Sequence, residues 1–184
     1  MAGKMGTSEI AQPYASALMS LAKSNNLTEE FGQNVRSLLA LVKESEELRN
    51  FFANPFVEME DKKAVLGKVV GDDTNAYFRN FLMLLVDRRR IMWIEDICQQ
   101  YLALLRQMNQ ISLAEVISAI PLSEEQQQSI KDKVKAMTSA REVELETSID
   151  KDIIGGVIIK VGSQVIDGSL KGQLRRLSLR LNSV

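Results

Sequence analysis

The 184-residue chain contains no histidine and a single cysteine, Cys98. These absences exclude a Ser-His-Asp triad, a Cys-His pair and any Cys/His zinc cluster. Cys98 stands at helical spacing within "WIEDICQQYL" and reads as a small core residue in a chain that needs no disulfide. An excess of charge of one sign is also missing. With 24 acidic and 23 basic residues the formal net charge is -1, so no global field draws nucleic acid or an acidic membrane surface. Long apolar runs are absent too: "FLMLLV" and "GGVIIKV" have the length of a strand or a piece of core helix, well short of a bilayer span. The opening "MAGKMGTSEIAQPYASAL" lacks the apolar region of a signal peptide, and an organelle-imported form would be the mature one. What is present is 45% hydrophobic content, ample for a packed core.

Up to about residue 108 the apolar period is helical throughout and predicts six helices, roughly 7–24, 28–44, 46–53, 60–70, 74–87 and 90–108. Thr28 is the expected N-cap of the second, Pro55 breaks the chain after the third, and Asp73 or Thr74 is the expected cap of the fifth. Connections this short favour a compact antiparallel bundle. Beyond "RQMNQ" the period changes. "ISLAEVISAI" reads as a strand ended by Pro121, and "SEEQ" is a capping box, with Ser123 at the N-cap and Gln126 reaching back. The helix it opens has Ile130, Val134 and Met137 on its inward face. "REVELETSI" alternates, with Val143, Leu145, Thr147 and Ile149 opposite Glu142, Glu144 and Glu146. A strand at 156–161, a turn at Gly162-Ser163, a strand at 164–167 and a helix from about Ser169 complete the chain. The expected fold is mainly α with a smaller α+β part: a six-helix bundle over 1–108, then a small mixed sheet with two helices over 109–184.

The glycines of "DIIGGVIIKVGSQVIDGSLKGQLRRL" invite a phosphate-binding reading, which their spacing refuses. A P-loop needs GxxxxGK and then Ser or Thr, opening directly into a helix. Here the filler between Gly156 and Gly162 is a β-branched run that favours an extended chain, and Ser163 stands where Lys is required. A dinucleotide fingerprint fails as well, because the strand follows the glycines. Gly155 and Gly156 instead permit a sharp lead-in to the strand, and Gly162-Ser163 makes a two-residue hairpin turn. Asp167 or Ser169 caps the last helix, whose Leu170, Leu174, Leu177 and Leu181 form a narrow stripe expected to pack on the strands. Leu179 lies opposite, beside Arg175 and Arg176; with Lys171 and Arg180, residues 168–184 hold no acid. This face is either a solvated basic surface or a docking surface for an acidic or amphipathic helix. A nucleotide- or RNA-binding module built on the glycines and the basic tail is the alternative function.

The first helix is apolar over more than half its circumference. Ile10, Tyr14, Ala17 and Leu21 cluster within about 60°, and Ala11, Ala15, Leu18, Met19 and Ala22 widen the arc beyond the roughly 100° that one core contact requires. The fifth helix is similarly rich through Tyr77, Phe78, Phe81, Leu82, Leu84 and Leu85. Two readings stand: a groove for a partner's amphipathic helix, or deep burial in the bundle. "RRR" at 88–90 reads as a polar corner neutralised by Asp87, Glu95 and Asp96. The pairs Glu124-Glu125 and Asp72-Asp73 read as helix N-terminal acids, leaving no acid-base pair for catalysis.

"AQPYASALMSLA", "AEVISAIPLSEEQ" and above all "DIIGGVIIKVGSQVIDGSLKGQLRRL" occur in the order in which similar segments occur in the delta subunit of F-type ATP synthases, the homologue of the mitochondrial oligomycin-sensitivity-conferring protein. The resemblance spans nearly the whole chain. It implies a non-catalytic peripheral-stalk subunit, present as a single copy in a hetero-oligomeric complex, with no cofactor, nucleic acid or small-molecule substrate. It also implies two contacts. The N-terminal helix of an alpha subunit would lie between the first and fifth helices, against Tyr14, Ala17, Leu18, Leu21, Phe81, Leu84 and Leu85. The C-terminal ends of b-type stalk subunits would meet the second part, at Gly155, Gly156, Lys171, Arg175, Arg176 and Leu179. One departure is "DRRR", where many bacterial members have an Asn-Gly-Arg-like turn. The implied location is the cytoplasmic or stromal face of an energy-transducing membrane. "RRR" with the long polar C-terminal half favours a cyanobacterial or chloroplast thylakoid over a bacterial plasma membrane.

Overall fold

The structure, a computed structural model, describes residues 3–71, 74–138 and 140–181. The chain divides into two compact units, one ending at Leu105 and the other beginning at Arg106. The first is helical: α1 (Gly3–Ser24), α2 (Thr28–Glu44), α3 (Glu46–Ala53), α4 (Met59–Val70), α5 (Ala76–Asp87) and, after a 3-10 turn at Ile91–Trp93, α6 (Ile94–Asn109), whose last turn counts with the second unit.

The helix ends follow local chemistry. Asn26 takes the left-handed conformation (φ 56°) that closes α1, and the next amide, of Leu27, donates back to the Ala22 carbonyl (2.8 Å). That closure moves the start of α2: Leu27 occupies its N-cap without a side-chain bond, and Thr28, the expected cap, is the first helical residue. Ser45 caps α3 by accepting from the Leu48 amide (3.1 Å). The cap of α5 is Asn75, which accepts from the Tyr77 amide (3.0 Å), in place of Asp73 or Thr74. The Thr74 hydroxyl donates to the Val70 carbonyl (2.6 Å) instead, and Asp72 and Asp73 lie outside the described residues.

A single apolar cluster fills this unit. Phe31 and Phe78 meet with ring centroids 5.6 Å apart, and Tyr101, wholly buried, donates its hydroxyl to the Thr28 carbonyl (3.1 Å). A side chain at Gly32 would come within 2.6 Å of Leu105 Cδ2, so the glycine is what lets Leu105 lie against α2. Cys98 belongs to the same core, and burial pushes its thiol up to about 12, which leaves no thiolate for chemistry at neutral pH.

The second unit contains β1 (Ile111–Ser118), α7 (Glu124–Thr138), β2 (Glu142–Ile149), a 3-10 turn at Lys151–Ile153, β3 (Val157–Val161), β4 (Gln164–Asp167) and α8 (Leu170–Leu181). The sheet order is β2-β1-β3-β4, with β1 and β2 parallel and the other pairs antiparallel. The capping box opens α7 as its spacing predicts: the Ser123 amide donates to Gln126 Oε1 (3.0 Å) and the Gln126 amide to Ser123 Oγ (3.3 Å). Ile130 and Val134 are buried with Ala114, Val116, Val143 and Ile159. Met137, expected to face inward, is exposed, as are Thr147 and Ile149 on β2. Those β2 residues keep the parity that the alternation predicts, but they lie beyond the buried cluster under α7.

Candidate partner-binding surfaces

The glycine-rich stretch builds a joint. Gly156 has φ 77°, and a Cβ there would overlap the carbonyl oxygen of Gly168, so no other residue fits without moving backbone. That close approach lets the Gly168 amide donate to the Val157 carbonyl (3.0 Å) and the Leu170 amide to the Gly155 carbonyl (2.9 Å), pinning the start of α8 to the lead-in of β3. Leu170 Cδ1 lies so near Gly155 that a Cβ there would be 3.0 Å away. Gly162 (φ 57°) opens the two-residue turn between β3 and β4.

Both candidate caps of α8 are used, in series. Ser169 Oγ accepts from the Gly172 amide (3.0 Å), and Asp167 Oδ1 accepts from the Ser169 hydroxyl (2.6 Å) and amide (2.9 Å). A side chain at Gly172 would collide with the Asp167 carboxylate, so this glycine leaves the space the acid occupies. The hydrogen bonds from Ser169, hydroxyl first, hold the Asp167 carboxyl below its ordinary value of 3.8. Because the native value is the lower one, this stabilisation is complete above the unfolded value and is lost as pH falls through the native one. Protection of the Gly172 amide from hydrogen exchange should therefore be flat from pH 7 down to about pH 4 and decline below it. Asp167→Asn should abolish that decline.

Beyond its first turn the described side chains of α8 are open to solvent, Arg176 donating back to the Asp167 carbonyl (3.4 Å). Leu174 and Leu177 are 57% and 56% exposed and Leu170 nearly as much, so the stripe does not pack on the strands as its period suggests. The reason is the direction set by the joint: α8 packs against the 3-10 turn at Lys151–Ile153, and its buried anchor is Ser169. The side chains of Arg180 and Leu181 lie outside the described residues. Lys171, Arg175, Arg176 and Leu179 are all exposed, and Leu179 stands on the opposite side of the helix from the leucine stripe. Ile154, Val165 and Ile166 are exposed apolar residues elsewhere in this unit that sequence reasoning passed over. Ile154 is also a β-branched residue at φ 69°, an uncommon conformation with no sequence signal.

In the first unit the wide apolar arc of α1 separates into two faces. Ala11, Ala15, Leu18, Met19 and Ala22 are buried, whereas Ile10, Tyr14 and Leu21 are half-buried and Ala17 is exposed. On α5, Leu84 is 43% exposed and Tyr77 lies on the same stripe, while Phe81 is nearly covered and Leu85 is 0% exposed. Leu18 and Leu85 are therefore bundle core, and the accessible members of the groove set are Tyr14, Ala17, Leu21 and Leu84. Both helices pack against the 3-10 turn at Ile91–Trp93. The arginine corner at 88–90 is an exposed polar turn between helices, as expected; of the acids near it, Asp87 pairs with Lys63 and Glu95 accepts from Gln99.

No group of His, Cys, Asp and Glu able to hold a metal occurs among the described residues, and no described helix is long and apolar enough to cross a membrane. The described residues form a helical unit and a small α+β unit, and each leaves a helix face with exposed apolar side chains. The family model for the ATP synthase delta (OSCP) subunit matches residues 10–181. ATP synthase subunit delta of Nostoc punctiforme is 60% identical over 183 residues, covering 100% of both chains, and that of Synechocystis sp. is 55% identical, covering 100% of this chain and 99% of its own. A chain in the cryo-EM structure of the Toxoplasma gondii mitochondrial ATP synthase hexamer superposes with a TM-score of 0.74 at 26% identity, covering 93% of this chain and 96% of that one. The protein belongs to the ATP synthase delta (OSCP) subunit family, and is a non-catalytic peripheral-stalk subunit of an F-type ATP synthase.

Proposed function

We propose that the two units divide the stator's work. The first, within residues 1–108, grips the N-terminal helix of an alpha subunit at the open face of α1 and α5; the second, within 109–184, holds the C-terminal ends of b-type stalk subunits along α8. A stator resists torque, which calls for affinity and stiffness at its contacts and for no reactive group. The observation that carries the reading is that the leucine stripe of α8 is open to solvent although the helix is firmly capped and pinned at its start. An amphipathic partner helix covers such a stripe, and Lys171, Arg175 and Arg176 favour acidic flanks on it. The cyanobacterial relatives support a thylakoid location.

The test replaces both exposed leucines. Leu174→Glu with Leu177→Glu should leave the Tm within a few degrees, because neither side chain is core, and should weaken binding of b-type C-terminal segments by about 30-fold or more. Binding by the unmodified chain should also weaken between 50 and 300 mM salt. Unchanged affinity in the double variant would remove α8 from the stalk contact.

A further inference from the structure

The dipeptide Asp167-Gly168 is able to modify itself. The Gly168 amide nitrogen can attack the carboxyl carbon of the aspartate before it, and a glycine, with no Cβ, neither screens that carbon nor restricts the approach. In the folded chain both reacting groups are engaged elsewhere. The Gly168 amide donates to the Val157 carbonyl (3.0 Å). The Asp167 carboxyl accepts from the Ser169 hydroxyl (2.6 Å) and amide (2.9 Å), and it lies against the first turn of α8, where a Cβ at Gly172 would overlap it. The same hydrogen bonds favour the ionised carboxyl, and a carboxylate is the poorer electrophile.

This protection hangs on a thin attachment. β4 is a four-residue strand at the edge of the sheet with every side chain exposed. The start of α8 is held by the Leu170 amide on the Gly155 carbonyl and by the buried Ser169, and the leucines beyond its first turn are open to solvent. Segments with so few buried contacts open locally while the rest of the fold stays intact. Lifting α8 from β3 breaks the bond from Gly168 to Val157 and the Ser169 cap together, which frees both reacting groups at once.

We propose that Asp167-Gly168 is an isoaspartate-forming modification site, and that the joint between β3 and α8 gates it. In the opened segment the Gly168 nitrogen bonds to Asp167 Cγ, and the amide proton and the hydroxyl of the acid leave as water, closing a succinimide ring. Water then opens the ring at either carbonyl. One product is aspartate again; the other is isoaspartate, whose main chain runs through the former side chain. No oxidant, metal or enzyme takes part. The isoaspartate main chain is longer by one carbon before Gly168, and its free carboxylate sits directly on Cα. The side chain that held Ser169 is gone, so α8 is not pinned again as it was. None of this depends on which partner α8 holds.

The test incubates the full chain at physiological pH in water enriched in heavy oxygen and reads the label by mass spectrometry in the tryptic peptide 161–171. Each ring opening adds one heavy oxygen whichever product forms. A synthetic peptide of the same residues, carrying the same substitution where there is one, gives the ungated rate. The parent chain should label about tenfold or more slowly than its peptide, in proportion to the fraction of time the segment is open. Ser169→Ala removes the hydroxyl that bonds Asp167 and Gly172, and should raise the rate about fivefold. Gly156→Ala, which prevents the close approach at the joint, should bring it near that of the peptide. The purified isoaspartate form should lose protection of the Gly172 amide from hydrogen exchange. A parent chain that labels as fast as its peptide, a Ser169→Ala chain no faster than the parent, or a Gly156→Ala chain as slow as the parent would each overturn the gate. An isoaspartate form with Gly172 still protected would overturn the loss of the cap.

Discussion

Gly156→Ala is expected to unfold the second unit under conditions in which the first stays folded. At φ 77° an alanine carries the strain of about 1–2 kcal/mol common to left-handed residues. The larger effect is steric. Its Cβ would overlap the Gly168 carbonyl oxygen, with the Ser169 Cα 3.1 Å away, and these are backbone atoms that no rotamer change can clear. Relief requires α8 to lift from β3, which breaks the bonds from the Gly168 and Leu170 amides and displaces the Ser169 cap. The total is about 3 kcal/mol or more, a large share of what a unit of this size has. Gly162→Ala is the matched comparison: φ is 57° and nothing lies within 4 Å, so only the strain of about 1–2 kcal/mol applies. Urea titration followed at the amides of Val116 and Ile159, against those of Phe31 and Leu82, separates the two units. Equal losses in the two variants would show that the joint does not depend on the close approach.

Leu84→Glu should raise the Kd for an alpha-subunit N-terminal peptide by about 30-fold or more, roughly 2 kcal/mol, without lowering the Tm by more than a few degrees. The neighbouring position makes this sharp. Leu84 is exposed, and Leu85, one residue on, is wholly buried among Leu18, Leu82 and Phe81. A carboxylate at Leu85 enters the core and should unfold the bundle, whereas one at Leu84 stays at the surface, within the proposed footprint of the partner. Ala17→Trp should act like Leu84→Glu, by filling the open face of α1 with bulk while the buried Ala15 and Ala22 are untouched. If Leu84→Glu binds the peptide as tightly as the parent chain, the α1 and α5 face is not the alpha-subunit contact.

How far these surfaces could be read from sequence differs from element to element. The helices of the first unit, the capping box at Ser123 and the hairpin at Gly162 were legible because each rests on local chemistry: a 3.6-residue period, a serine three residues before a glutamine, a glycine where φ must be positive. The stripe of α8 shows where that logic stops. Leu170, Leu174 and Leu177 have the same spacing whether they cover the chain's own sheet or await another chain. Only the direction imposed by Gly155 and Gly156 leaves them open. The surplus on α1 was visible as an arc too wide for one contact, but resemblance alone could not sort Leu18 and Leu85 from Ala17 and Leu84, which differ by one step around the helix. Gly172 gave no sign of its task, since nothing local announces that a carboxylate five residues earlier folds over it.

On this reading the chain joins the catalytic head to the stalk by surface contacts and contributes nothing to the chemistry. Membranes carrying an ATP synthase stripped of its delta subunit test it most directly, with proton-driven ATP synthesis and ATP hydrolysis by the released head measured side by side. The unmodified chain should restore synthesis, Leu84→Glu and the Leu174→Glu, Leu177→Glu double variant should each fail at concentrations near the Kd of the parent, and the hydrolysis rate should be the same in every case. Restoration of synthesis by both variants as fully as by the parent chain, or a hydrolysis rate that rises and falls with the added subunit, would contradict the account.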